Sequence, residues 1–176
     1  MGEGWRCART TLANERDTIA GVSLDPASIF GGVGKDPWQA FVEDVADRRD
    51  PCVRQRLAQL YTEREVKEVT VFRANAARLR GQDPGPEGSV NKVVNAEHNQ
   101  RRTDFVVGAA GMAGVAWLPG DGDAGMRSHA FLRARANTIE GGTSEVLRNQ
   151  VAERVLGLPR DEAVDKDVPW NQTKRN

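Results

Sequence analysis

Pro51-Cys-Val-Arg-Gln-Arg-Leu-Ala-Gln-Leu-Tyr-Thr-Glu-Arg-Glu-Val-Lys-Glu-Val-Thr-Val-Phe-Arg-Ala-Asn-Ala-Ala-Arg-Leu-Arg-Gly81 is the stretch on which the fold class turns. Val53, Leu57, Leu60, Tyr61, Val69, Phe72, Ala76 and Leu79 recur in it at three- and four-residue steps. That spacing places them along one side of a helix of roughly eight turns. Pro51 suits the first helical position and Gly81 suits the residue just past the last.

The pattern continues on both sides. Gly81-Gln-Asp-Pro-Gly-Pro-Glu-Gly88 is a connector, and Ser89 opens a second long helix through Val93, Val94, Phe105, Val106 and Trp117. This helix turns small and apolar at Gly108-Ala-Ala-Gly-Met-Ala-Gly114. A loop from Pro119 to Gly125 precedes a helix from about Met126 to Arg135. A last helix starts near Thr143, runs through Val146, Leu147, Val151 and Val155, and stops at Gly157-Leu158-Pro159. Upstream, Trp5, Ala8, Leu12 and Ile19 mark a helix from about Gly4 to Ile19. A Gly/Pro/Ser-rich connection from Gly21 to Pro37 follows it, then a short helix carrying Trp38, Phe41, Val42 and Val45. No segment alternates as a strand would. Long helices joined by short links predict an all-α, antiparallel four-helix-type bundle with extra short helices. One domain is expected over residues 1–160, with a polar, poorly ordered tail over 161–176.

Composition narrows the function. Within 176 residues, 25 basic side chains balance 25 acidic ones, so the basic footprint of a nucleic-acid binder is missing. No apolar run reaches the length of a membrane span. The opening Met1-Gly2-Glu3-Gly4-Trp5 does not read as a secretory signal, and Cys7 and Cys52 read as reduced thiols. A cytoplasmic protein is the expectation.

Several motifs match by letter and fail by chemistry. Gly120-Asp-Gly-Asp-Ala-Gly125 follows no strand, and its two aspartates would repel a pyrophosphate. Gly34-Lys35 is followed by Asp36, where a phosphate loop needs a hydroxyl for magnesium. His98 and His129 have no ligand spacing with each other or with a cysteine, so no metal site is expected.

Asn137-Thr-Ile-Glu-Gly-Gly-Thr-Ser-Glu-Val-Leu-Arg-Asn-Gln-Val-Ala-Glu-Arg-Val-Leu-Gly-Leu-Pro159 reads as a glycine-rich turn entering a capped helix. It also resembles the C-terminal signature of the acyl-CoA dehydrogenase family, a Gly-Thr-Ser-Glu loop and a helix ending Glu-Arg-x-Leu-Gly-Leu-Pro. Gly2-Glu3-Gly4-Trp5 followed by Thr11-Leu12-Ala13-Asn14-Glu15-Arg16 resembles the first helix of that family's C-terminal domain. Pro86-Glu-Gly-Ser89 followed by Lys92 is similar to a third landmark, in the same order. The resemblance covers essentially the whole chain. It lacks the family's N-terminal helical and middle β-barrel domains, which implies a C-terminal fragment, inactive by itself.

The resemblance implies an FAD-dependent α,β-dehydrogenation of an acyl-CoA, with the α-proton going to a carboxylate and the β-hydride to flavin N5. A carboxylate suits the first task, since an apolar covered site makes such a group more basic. The family places this base either directly before Gly-Thr in the C-terminal loop, which is Gly141 here, or before an Arg on the first helix. Glu15-Arg16 fits the second arrangement, so Glu15 is the expected base. The other readings are a solvated surface Glu15 with no base in the chain, and Glu140, one residue out of register. By the same resemblance Arg16 borders the CoA side of the pocket, and Gly142, Thr143 and Glu145 form the loop that meets FAD. Two departures stand out. Asp47 to Arg56 lacks the Arg-x-x-Phe-Gly that contacts a neighbouring subunit's FAD, and Val107-Gly-Ala-Ala-Gly111 replaces a Gln and Gly-Gly. Such variation resembles a bacterial branch of paired, heteromeric subunits acting on bulky acyl-CoA, sterol side chains included. A homo- or hetero-oligomer is expected. The rival reading from a different class is a non-catalytic helical assembly subunit.

Overall fold

The computed structural model describes residues 3–19, 41–43, 45, 49–82, 87–116, 120, 122–160 and 168–172, with backbone alone at 16–19, 87, 123–124 and 170. Helix α1 is Glu3–Ile19, α2 Pro51–Leu79, α3 Glu87–Ala109, α4 Met112–Val115, α5 Gly122–Ala134 and α6 Ser144–Arg154. Single 3-10 turns occupy Arg135–Thr138 and Trp170–Gln172. Residues 41–43 are helical, and no strand occurs among the described residues. The predicted connection from Gly21 to Pro37, Trp117, and most of the predicted short helix and polar tail lie outside the described residues.

Local chemistry sets the ends. The Asp50 carboxylate accepts from the N–H groups of Cys52 (2.7 Å) and Val53 (3.1 Å), which satisfies two orphan donors at the start of α2. Gly81 at φ 75° closes its C-terminus. The helix predicted to run from Ser89 to Trp117 breaks at Ala110–Gly111, where Gly111 takes φ 55° and α4 begins. Tight packing explains the glycine three residues on: a Cβ at Gly114 would come within 2.2 Å of the Val107 carbonyl oxygen. Helix α5 starts at Gly122 rather than near Met126, because the loop's glycines are absorbed into its first turn.

Helix α3 is the hub, packed against α1, α2, α4, α5, α6 and the 3-10 turn at Arg135–Thr138. Its pairing with α2 is antiparallel. Glu63 meets His98 and Arg101, and the cleft between the two helices brings Lys67 beside Asn95. The apolar centre consists of Leu57 and Leu60 from α2, Ala96 from α3, Ala134 from α5 and Leu147 from α6.

The α1 stripe faces outward. Every described side chain from Glu3 to Glu15 is exposed, Trp5 at 72% and Leu12 at 51%. On α2, Val69, Phe72 and Leu79 also face outward. The spacing marks these stripes as apolar, yet no described residue covers them. Apolar patches of this extent drive association. The chain by itself is expected to sediment as dimers or larger species that grow with concentration, and a single monomeric boundary at high concentration would contradict this.

Inside the α2–α3 seam, His98 is 4% exposed and its Nδ1 lies 3.3 Å from Glu63 Oε2. Burial opposes ionisation of Glu63, but hydrogen bonds from Arg101 and His98 outweigh it and hold the carboxyl below its usual value. An ionised carboxylate only accepts, so the His98 proton sits on Nδ1. Burial, with Lys67 and Arg102 nearby, keeps the imidazole pKa below its usual 6.5 despite Glu63. Below pH 6.5 the unfolded chain therefore protonates His98 before the folded chain does. Stability present above that pH is lost as the pH falls toward the depressed folded value. His98→Gln should flatten this part of a Tm-against-pH curve, while the fall due to Glu63 below pH 4.5 persists.

Candidate functional site

The loop from Ile139 to Thr143 joins the 3-10 turn to α6. Backbone bonds from Ile139 and Glu140 N–H to the Ala136 carbonyl, both 2.9 Å, start it. Gly141 (φ 64°) and Gly142 (φ 100°) then take left-handed conformations that a side chain would strain. Thr143 is extended, and its hydroxyl caps α6 by accepting from Val146 N–H at 3.3 Å.

Helix α1 reaches this loop through Glu15. Its Oε1 accepts from the Gly141 N–H at 3.2 Å, joining residues 126 apart in sequence. Among the described residues no cation lies within ion-pair distance of this carboxylate. From below, Lys92 of α3, fully buried, donates from Nζ to the Gly142 carbonyl at 2.6 Å. The backbone of Arg16 follows Glu15 on α1, and its side chain lies outside the described residues.

The other two acids of the loop are held differently. Glu140 bonds the Arg133 guanidinium at 2.7 Å and the Asn137 amide at 2.6 Å. The Arg133 hydrogen bond, more than any other influence, keeps its carboxyl below the usual range. Asn137 accepts in turn from Asn99 of α3 at 2.6 Å, which braces the loop against the hub. Glu145, exposed in the first turn of α6, is held low by its own backbone N–H and then by the Thr143 hydroxyl. A negative side chain at a helix N-terminus is favourable there.

The structure thus brings together Glu15, Gly141, Gly142 and Thr143, and separates Glu140, which points to Arg133. Sequence reading noticed Lys92 as a landmark but gave it no role. The signal available was its step with Ser89 and Ala96 on the interior face of α3, both of them buried. It also passed over a cleft of about 240 Å³ between α2 and α3, where Arg64, Lys67 and Arg102 gather beside Phe41.

An FAD at this loop would meet donors and acceptors of a definite kind. The two left-handed glycines and the open start of α6 suit close approach of polar cofactor atoms. Glu145 already supplies negative charge at that helix end, so a ribose or ring edge fits better there than a phosphate.

Residues 2–156 match the family model described as acyl-CoA dehydrogenase, C-terminal domain. The chain belongs to the acyl-CoA dehydrogenase family through that all-α domain. It is 30% identical over 161 residues to acyl-CoA dehydrogenase FadE34 of Mycobacterium tuberculosis (strain ATCC 25618 / H37Rv), covering 91% of this chain and 20% of that one. It is 32% identical over 160 residues to acyl-CoA dehydrogenase IpdE1 of Mycolicibacterium smegmatis (strain ATCC 700084 / mc(2)155), covering 91% and 38%. Among solved structures, the Tcur3481-Tcur3483 steroid ACAD matches with a TM-score of 0.71 and 27% identity, over 90% of this chain and 40% of that one. The ChsE4-ChsE5 complex from Mycobacterium tuberculosis matches with a TM-score of 0.64 and 25% identity, over 89% and 41%. The chain therefore spans well under half the length of these relatives. Among the described residues no helix is long and apolar enough to cross a membrane.

Thr143→Ala removes the α6 cap and should destabilise the chain by about 1 kcal/mol. A urea midpoint equal to that of the parent would contradict the cap assignment.

Proposed function

We propose that this chain supplies the base and the C-terminal cofactor loop of an FAD-dependent acyl-CoA dehydrogenase, with Glu15 taking the α-proton of the acyl-CoA. The observation that carries this reading is the 3.2 Å contact between Glu15 Oε1 and the Gly141 N–H. Position 141 is where one arrangement of the family keeps its carboxylate. Here it is glycine, and the α1 carboxylate arrives at the same point. Glu140 is a weaker candidate, because its ion pair with Arg133 stabilises the charged form and diminishes its basicity.

In this mechanism Gly141 N–H orients the Glu15 carboxylate, and Lys92 holds the turn that presents it. Glu15 then accepts the α-proton on a carboxylate oxygen. Arg16, next on α1, is assigned to the CoA side of the pocket. Gly142, Thr143 and Glu145 form the edge on which FAD would rest, and FAD when bound supplies the acceptor for the β-hydride. An exposed Glu15 and open apolar faces on α1 and α2 support a chain that completes its site with further domains or a partner subunit. The steroid ACAD named among the structural matches supports a bulky acyl-CoA as substrate.

A second reading is a non-catalytic helical subunit of a heteromeric enzyme. It is favoured by the two-chain names of the matched structures and by the missing Arg-x-x-Phe-Gly. One substitution separates the two. In the assembled enzyme, Glu15→Gln should lower acyl-CoA dehydrogenation by about 10²- to 10⁴-fold with FAD content and assembly unchanged. An unchanged rate would remove Glu15 as base and favour the assembly subunit.

A further inference from the structure

A lysine with no exposed surface demands an explanation, because a buried ammonium is costly unless it is hydrogen-bonded. Lys92 is 0% exposed on the hub helix, and its Nζ donates to the Gly142 carbonyl at 2.6 Å. That carbonyl belongs to a turn with an unusual weakness. Gly141 and Gly142 both sit at positive φ, and consecutive glycines populate several other conformations almost as readily. Left alone, the turn would interconvert, and the Gly141 N–H would swing away from Glu15.

Beside the Glu15 contact at Gly141, further ties act at the loop's ends. Glu140 is fixed through Arg133 and Asn137 before the glycines, and Thr143 is fixed by capping α6 after them. Between them, the contact that reaches Gly142 comes from Lys92. The charge also acts on the neighbouring acids, since Lys92 helps keep both the Glu140 and the Glu145 carboxyls low.

We propose that Lys92 is a positioning residue: its buried ammonium pins the Gly142 carbonyl, locks the Gly141–Gly142 turn in one conformation, and so keeps the Gly141 N–H aimed at Glu15. The consequence for catalysis rests on reading Glu15 as the base, whereas the pinning does not.

The test uses the whole 176-residue chain. Lys92→Met keeps the length of the side chain and removes its charge and donors. Amide exchange at Gly141 should accelerate by at least about tenfold, while core amides such as those of Leu60 and Ala96 stay protected. Unchanged exchange at Gly141 in a folded variant overturns the proposal. Should Lys92→Met not fold, the unaltered chain decides by NMR. The Lys92 ammonium protons should resist exchange and show a hydrogen-bond coupling to the Gly142 carbonyl carbon, and freely exchanging protons without it overturn the proposal. In the assembled enzyme, Lys92→Met should lower kcat more than it raises KM. Faster Gly141 exchange with unchanged kcat would leave the pin standing and remove the catalytic consequence, so failure of the Glu15 reading is distinguishable from failure of the pin.

Discussion

A helix enclosed by other helices has nowhere to put its polar side chains except against protein. That constraint governs α3, whose Ser89, Asn91, Lys92, His98 and Thr103 are all buried. Buried polar groups must be hydrogen-bonded, so Ser89, Lys92 and His98 help to specify the elements beside them, while Thr103 bonds back to the Asn99 and Gln100 carbonyls of its own helix. Ser89 bonds Gln150 of α6, Lys92 the turn at Gly142, and Asn99 the residue Asn137. Gln100 reaches the Ala134 carbonyl and the Thr138 hydroxyl, and His98 and Arg101 share Glu63 of α2. Nearer the surface, Glu97 pairs with Arg148 and Asp104 with Arg135. The bundle is therefore held in register by directional contacts from one helix. Asn91 is the exception: among the described residues neither polar atom of its side-chain amide has a partner.

The same logic divides the three acids near the loop. Glu140 has a guanidinium, Glu145 has a helix N-terminus, and Glu15 has a neutral N–H. An acid tied to a cation serves structure, because every interaction that stabilises its charge reduces its appetite for a proton. Among the described residues Glu15 is the one of the three without a cationic partner, which is why the proposed function gives the proton chemistry to it. Environment rather than residue type assigns the roles, and three glutamates within one small region illustrate how far environment can separate them.

Much of this was legible in the sequence. Apolar steps of three and four residues located α2, α3 and α6, and Pro51, Thr143 and Gly81 marked their ends through elementary capping chemistry. The Gly-Thr-Ser-Glu stretch pointed to the loop that Glu15 and Lys92 reach. What stayed hidden shares a cause. A hydrophobic pattern identifies an apolar stripe without naming its cover, so the spacing of Trp5 and Leu12 does not reveal that both are exposed. It also treats charge as surface, so Lys92 could not be placed inside the bundle by pattern alone. The meeting of Glu15 with Gly141 spans 126 residues, and no local rule reaches that far. Gly111, which breaks α3 from α4, is one small residue among several in an apolar run, and its positive φ leaves no trace in that run's composition.

The exposed face of α1 and the exposed Glu15 carboxylate on it are best understood together. A carboxylate in open water is a feeble base toward a carbon acid, because solvation of its charge competes with proton capture. On the proposed reading, Glu15 serves only when something excludes water from it. The helix that carries Glu15 also carries Trp5 and Leu12, both largely exposed. Whatever buries that apolar surface gains hydrophobic stabilisation in proportion to the area covered. If the cover extends to Glu15, the same event dries the carboxylate. Assembly and activation of the site then become one process, driven by the apolar residues of α1 and expressed chemically at Glu15. On the proposed reading of Glu15, the chain's open faces are the means by which its carboxylate leaves water.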